Sequence, residues 1–184
     1  MNDKTRNIFI TTSTISLSLT VLSLVIYYVY RYYRSTHPSE EEDETDNFTN
    51  SALPRPVRNN NPLNIRLTGE KWLGKISNDK NTDGEFEQFY NTKWGIRAAM
   101  INLRSYYNRY HCRTIEQIIN RWAPTKENNT SDYVKHVAAR MNISPTDELQ
   151  YDKQTWCSLV AAMAVSEGAG QLTDKQLTEA WEEI

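Results

Sequence analysis

Residues 114–124 are TIEQIINRWAP, a stretch that contains one short helix together with both of its ends. Thr114 and Gln117 have the spacing of a capping box, in which each side chain satisfies a backbone N–H of the first turn. Apolar side chains recur between them and Pro124 with the helical period, at Ile115, Ile118, Ile119 and Trp122. Pro124 ends the helix, because proline has no amide hydrogen to donate. The stretch predicts a domain built from helices that bury one face.

The helical period continues on both sides of this stretch. Thr130 and Asp152 are the expected N-caps of two following helices, and a second capping box at residues 173–176 begins the last one. Upstream, the helix expected from residue 93 carries a single apolar stripe, formed by Ile96, Met100, Leu103, Tyr107 and Tyr110. The sequence therefore predicts five helices in this part of the chain.

Two short alternating runs precede the helices. Residues 72–76 and 86–89 alternate apolar and polar side chains around turn-forming residues, which predicts a small β-hairpin or irregular β-lobe. RNNNPLNI at 58–65 is rich in turn formers and predicts a loop. We therefore expect one mostly α (α+β) domain over residues 57–184, which is long enough to bury a core unaided.

The mean hydropathy of −0.70 conceals an apolar N-terminal segment. Residues 8–30 carry no charge and would extend about 34 Å as a helix, enough to cross a bilayer. A signal peptide and a buried core helix are the alternatives, but the segment is too long for the first and lacks the polar stripe of the second. We expect a tail at 1–7 and a transmembrane helix at 8–30 in contact with lipid.

Residues 31–56 connect this segment to the globular part. They include five consecutive acidic residues at 40–44, and they have too few large apolar side chains to fold. We expect an acidic flexible linker, and the domain beyond it is nearly neutral. With a net charge of −2 for the whole chain, we expect no nucleic-acid partner.

Motifs for cofactor or metal chemistry are missing from the sequence. It has no nucleotide-binding glycine loop, no serine-nucleophile elbow and no zinc-ligand spacing, so we expect neither a cofactor nor a metal. Cys112 and Cys157 have no patterned partner. We expect two buried free thiols, and a disulfide between them stays open.

Carboxylates are the remaining candidates for catalysis. Glu167 lies on the apolar stripe of its predicted helix and just before Gly168, where the helix should end. Desolvation and the negative end of the helix dipole would both favour a protonated carboxyl there, as a general acid requires. The alternative is a frayed helix end with Glu167 in water.

Other acidic and aromatic residues allow more than one interpretation. Glu127 lies in a loop between two predicted helices, where it could also bond the backbone at the next helix start. Asp83, Glu85 and Glu87 could supply a second carboxylate, but their alternation with phenylalanine favours a solvated face. Three tryptophans suit either sugar stacking or the core: Trp72, Trp94 and Trp122.

Several motifs together resemble a group of phage and prophage proteins, virion structural or lytic, with a lysozyme-like, peptidoglycan-cleaving domain. The resemblance covers residues 58 to about 183 and rests chiefly on RNNNPLNIR at 58–66 and on RWAP and ENNT between 121 and 130. It extends over WLG (72–74), FEQF (86–89), GIRA (95–98) and AVSEG (164–168). A membrane anchor before such a domain is similar to the transglycosylases of membrane-containing phages.

The resemblance implies a site. Related enzymes place the catalytic glutamate at a helix end shortly before the asparagine-rich segment, whereas this chain has only the linker there. A helix that ends in Glu-Gly occurs instead at 158–168. We therefore expect a circularly permuted lysozyme-like core with Glu167 as general acid and Glu127 as second choice or partner. The expected substrate-binding residues are Asn59, Asn60, Asn61, Asn64, Arg66, Trp122, Asn128 and Tyr133.

The function implied is cleavage of the β-1,4 bond between N-acetylmuramic acid and N-acetylglucosamine in peptidoglycan, during phage entry or exit. A lytic transglycosylase is favoured over a hydrolase, because no carboxylate pair stands out. The expected location is a virion membrane or the host envelope, with virion proteins as further partners. Two alternatives are a non-catalytic virion or envelope protein that uses the fold to bind glycan or protein, and a tethered adaptor without a glycan role.

Overall fold

The computed structural model describes residues 21–33, 45–124 and 129–184. The chain divides into two units, residues 1–39 and 40–184. The first contains a helix at residues 21–33 (α1). The second contains a 3₁₀ helix, Thr45–Thr49, and six α-helices: α2 (Arg55–Arg58), α3 (Thr92–Arg109), α4 (Ile115–Trp122), α5 (Thr130–Met141), α6 (Lys153–Ser166) and α7 (Asp174–Glu182).

The five long helices form where the apolar period predicts them, so the expectation of a mostly helical domain is confirmed. Both capping boxes are present, at Thr114 and at Thr173, and the Asp152 carboxylate caps α6 through the N–H of Thr155. The sequence predicts Thr130 as the N-cap of α5, but Asn129 occupies that position and Thr130 is the first residue of the helix. The buried Thr130 hydroxyl instead donates to the carbonyl of Ala123 over 2.7 Å and ties α5 to the end of α4.

The expected hairpin is reduced to isolated pairings, and no strand occurs in the described parts of the chain. One bridge joins Arg66 to Phe86 and another joins Lys75 to Phe89, both antiparallel. Residues 85–90 therefore lie between two other extended segments, with which they exchange single pairs of backbone hydrogen bonds. The result is an irregular lobe.

The core lies between the lobe and the helices. Helix α3 packs against α7, and α5 packs against both α4 and α6. Trp94, Met100, Trp156 and Met163 are among the fully buried side chains that fill the interior. Cys112 and Cys157 are free and half-buried, and burial raises the pKa of the Cys157 thiol.

One glycine sets how closely α3 approaches the asparagine-rich loop. A Cβ on Gly95 would lie 2.0 Å from the carbonyl oxygen of Asn60 and 3.0 Å from Cδ of Pro62. No side chain fits in that space, so the loop backbone lies directly on α3. This contact fixes residues 58–66 against the helical core.

The domain begins before residue 57. The guanidinium of Arg55 bonds both carboxylate oxygens of Asp83, at 2.8 and 2.7 Å, and Pro56 is buried. The last residues of the expected linker are therefore part of the folded unit.

The membrane-spanning prediction falls partly outside the described residues, which omit positions 8–20. In α1, apolar side chains from Val21 to Val29 are more than half exposed. No helix within residues 21–33, 45–124 or 129–184 has the length and apolar character needed to cross a bilayer.

Candidate active site

Glu167 lies at the C-cap of α6, where the sequence predicts the end of a helix. Its N–H still donates to Met163, and the next residue, Gly168, has φ +85°. A left-handed residue after the cap lets the chain turn back, and glycine adopts this conformation without a steric penalty. The N–H groups of Gly168 and Ala169 then bond carbonyls of the last turn. The half-buried Glu167 side chain therefore projects from a helix end whose last carbonyls are hydrogen-bonded.

Three side chains from distant parts of the sequence donate hydrogen bonds to the Glu167 carboxylate. The Tyr133 hydroxyl on α5 and the Trp122 indole N–H at the end of α4 both donate to Oε1, at 2.8 and 3.2 Å. Nδ2 of Asn64 donates to Oε2 at 3.0 Å. Such an arrangement fixes the carboxylate and stabilises its negative charge.

Tyr133 remains a neutral donor in this network. Burial raises the pKa of its phenol strongly, and the adjacent Glu167 charge and hydrogen bond raise it further. The phenol therefore stays protonated near neutral pH, where it donates its hydrogen bond to Glu167. Tyr133 does not line the cavity in front of Glu167, which corrects its predicted role in binding substrate, and its hydroxyl instead supports the Glu167 carboxylate.

A cavity of about 920 Å³ opens in front of the carboxylate. It lies between the lobe and the helices, since residues from 64–72 form one wall and residues from 101–109 of α3 form another. Glu167 and Pro124 contribute to its lining as well. Its volume suits a ligand of several sugar rings or of drug size.

Four of the predicted site residues line this cavity: Asn64, Arg66, Trp122 and Glu167. Aromatic rings of Trp72 and Tyr106 lie there too, and Tyr106 makes an edge contact with Trp122 at a ring separation of 6.2 Å. Trp94, the remaining tryptophan of the three considered, is fully buried in the core.

The first three asparagines of the loop do not line the cavity, which corrects the prediction for Asn59, Asn60 and Asn61. Each is buried, and each amide bonds groups within the protein. Asn59 donates to Asp83, Asn60 to the carbonyl of Phe89, and Asn61 to the carbonyls of Ile65 and Glu87. Buried amides need such partners, and these three residues hold the loop so that Asn64 reaches Glu167.

Two of the three lobe carboxylates are buried, which corrects the expected solvated face. The side chain of Glu87 is fully buried and pairs with Lys75 at 2.9 Å. Burial by itself would raise the pKa of Asp83, but hydrogen bonds from Arg55, Asn59 and the backbone hold it well below its usual range. Glu85 is exposed and pairs with Arg55. None of these carboxylates lines the cavity, so their role is structural.

Glu127 and Asn128 lie outside the described residues, as does the rest of 125–128. Among the residues that are described, no group of three potential ligands could hold a metal ion. The predicted roles of Glu127 and Asn128 remain predictions.

Charged residues that the sequence did not single out also line the cavity. They are Glu70 in the lobe and Arg104 and Arg109 on α3. No motif marks Glu70. The two arginines lie with Ile101, Ser105 and Asn108 on one side of α3, and only that shared helical face could have indicated them.

Comparison with known proteins shows a relative from a phage. The chain is 36% identical over 132 residues to Protein P5 of Pseudoalteromonas phage PM2, a match that covers 70% of this chain and 80% of the relative. No protein-family model matches the chain. The predicted relationship to phage proteins is thus confirmed.

Proposed function

The chain belongs to the family of Protein P5 of Pseudoalteromonas phage PM2, and from this premise we propose that it is a phage enzyme that cleaves peptidoglycan. Glu167 is its general acid. The single observation that carries the proposal is a carboxylate held by three donors at the wall of a cavity large enough for a glycan.

The contacts of Glu167 suit the transfer of a proton. In its protonated form Glu167 gives the proton to the glycosidic oxygen, and the C1–O bond breaks as an oxocarbenium-like centre develops. Glu167 is then a carboxylate, and the donors from Asn64, Trp122 and Tyr133 stabilise the charge that has formed. Fixed donors of this kind need no reorganisation during the step.

The second half of the proposed reaction uses the sugar itself. The 6-hydroxyl of the muramic acid unit attacks C1 and passes its proton to the Glu167 carboxylate, which yields a 1,6-anhydro end and restores the acid. This route needs one carboxylate. A hydrolase would need a second carboxylate to activate water or to act as nucleophile, and Glu70 is the only other carboxylate that lines the cavity within the described parts of the chain.

The proposed fold is a lysozyme-like core in circularly permuted order. Supporting this, the helix that ends in Glu167 meets the asparagine-rich loop in space although 103 residues separate Glu167 from Asn64 in sequence. A glutamate helix end beside this loop is the arrangement that the resemblance implies, with the helix now at the C-terminal end.

The proposed location is a membrane, with residues 8–30 as the anchor. Exposed apolar side chains on α1 support it, because a surface of this kind avoids water when it lies in lipid. Carbonate extraction of membranes from cells that express the full chain tests the anchor. Retention in the membrane pellet is expected, and release by carbonate would exclude a spanning helix.

Incubation of the full-length protein with purified sacculi, followed by mass spectrometry of the soluble products, tests the activity. Fragments with 1,6-anhydro ends are expected, whereas reducing ends would identify a hydrolase. Binding to sacculi without release of fragments would instead identify a non-catalytic glycan-binding protein.

A further inference from the structure

The described side chains that line the cavity carry more positive than negative charge, although the chain as a whole has a net charge of −2. Among the described residues that line it, three are arginines and two are glutamates. The arginines are Arg66, Arg104 and Arg109, and the glutamates are Glu70 and Glu167. A neutral ligand would give no reason for this excess of cations.

The three arginines differ in their contacts. Arg66 lies over the ring of Phe86, with 4.9 Å between the guanidinium carbon and the ring centre. In contrast, Arg104 and Arg109 make no hydrogen bond, ion pair or ring contact with any residue of 21–33, 45–124 or 129–184. Within those ranges, no group competes with an anion for the guanidinium groups of Arg104 and Arg109.

Stabilisation of α3 by its helix dipole explains the position of only one of these two arginines. Arg109 lies in the last turn of α3, where a cation interacts favourably with the helix dipole. Arg104 lies more than one turn earlier, where that effect has faded. Both face the cavity beside the hydroxyl of Ser105 and the amide of Asn108, so the pair extends a polar wall.

On the basis of the proposed function, we propose that Arg104 and Arg109 form a subsite for a carboxylate of the glycan. Guanidinium groups bind carboxylates through paired N–H donors, so this subsite selects strands that carry acidic groups. The carboxylate belongs either to the lactyl group of muramic acid or to the peptide attached to it. Neutral polymers of N-acetylglucosamine carry neither.

Isothermal titration of the full-length protein tests the subsite, with Glu167→Gln as the background that prevents turnover. Three soluble tetrasaccharides are compared: chitotetraose, a peptide-free strand with free lactyl carboxylates, and a strand that bears peptides. The acidic strands should bind about tenfold more tightly than chitotetraose, as expected for one charge-assisted hydrogen bond. The preference should decrease with added salt. The peptide is joined through the lactyl carboxyl, so preference for the peptide-free strand alone assigns the lactyl carboxylate, and preference for the peptide strand alone assigns a carboxylate of the peptide. Preference for both shows that the subsite accepts a carboxylate from either source.

Arginine variants identify the groups responsible. Arg104→Gln and Arg109→Gln should each lower the affinity for the acidic strand towards that of chitotetraose, and Arg104→Lys should restore part of it. Arg140→Gln is the matched control, because Arg140 is exposed on α5 and does not line the cavity. Unchanged circular dichroism shows that each variant is folded.

The outcomes separate this inference from the proposed function. Equal affinity for acidic and neutral strands, or a preference that survives in both glutamine variants, would overturn the subsite even if the wild-type protein cleaves sacculi. Failure of the wild-type protein both to bind the strands and to cleave sacculi would overturn the proposed function and the subsite with it.

Discussion

The hydroxyl of Tyr133 donates a hydrogen bond of 2.8 Å to Oε1 of Glu167, across 34 residues of sequence. Tyr133 is half-buried and does not line the cavity, so it contacts the proposed acid without contacting a substrate bound there. Tyr133 is therefore a positioning residue for Glu167.

Removal of that hydroxyl should affect the chemical step. Tyr133→Phe keeps the ring and removes one donor to the charge that forms on Glu167, so kcat should fall about tenfold or more while KM stays near the wild-type value. Steady-state kinetics with a soluble peptidoglycan strand measure both constants. Tyr151→Phe is the control, because Tyr151 lies outside the site. A higher KM with normal kcat would show that Tyr133 binds substrate directly.

A glycine in α3 should resist replacement by alanine. Glycine to alanine within an exposed helix normally stabilises a protein by up to about 1 kcal/mol. At Gly95 the added Cβ meets the Asn60 carbonyl, so Gly95→Ala should instead lower the free energy of unfolding by about 1–3 kcal/mol. Urea denaturation measures this. Gly69→Ala is the matched control, since its Cβ would meet nothing within 4 Å. A stabilised Gly95→Ala protein would contradict the close contact described here.

Acid should weaken the attachment of Arg55 to the lobe. Because the pKa of Asp83 is lowered in the folded protein, its contribution to stability is fully present above the unfolded value of about 4 and is lost as the pH falls below it. Asp83→Asn should cost about 1–3 kcal/mol at pH 7. The variant should also lose less stability than the wild type between about pH 5 and pH 2. Thermal melts across that range test this, and parallel curves for the two proteins would be evidence against it.

Substitution of Glu70 distinguishes a lytic transglycosylase from a hydrolase. If the sugar's own hydroxyl completes the reaction, Glu70→Gln should retain most of the activity and still release 1,6-anhydro ends. If Glu70 acts as the second carboxylate of a hydrolase, the same change should reduce the rate at least about 100-fold. Glu148→Gln, at an exposed position away from the cavity, controls for the lost charge.

Sequence predicted the helices well, because the signals are local. The capping boxes at Thr114 and Thr173 and the period of apolar residues act within a few turns of chain, and the structure contains each of those helices. The hairpin was less predictable. Pairing between segments 65–67, 74–76 and 85–90 depends on contacts over long sequence distances, which here give only isolated bridges.

The candidate site was predictable only where local sequence signals indicate it. Glu167 could be placed at a helix end from its own neighbourhood, and Asn64, Trp122 and Tyr133 were expected from the resemblance. The burial of Asn59 depends on Asp83 and Gln88, which lie 24 and 29 residues away. The position of Arg104 in the helical period is the one expected of any residue on a solvated helix face. Only the folded chain shows that this face lines a cavity.

The activity of Glu167→Gln shows directly whether Glu167 is the general acid. Turbidity of purified sacculi is followed with the full-length wild type, Glu167→Gln, Glu127→Gln and the control Glu148→Gln. Gln has the shape of Glu but cannot donate the carboxyl proton, so Glu167→Gln should lose clearing by at least about 100-fold while Glu148→Gln clears normally. Clearing by Glu167→Gln at the wild-type rate, with none by Glu127→Gln, would contradict the assignment of Glu167 as the general acid.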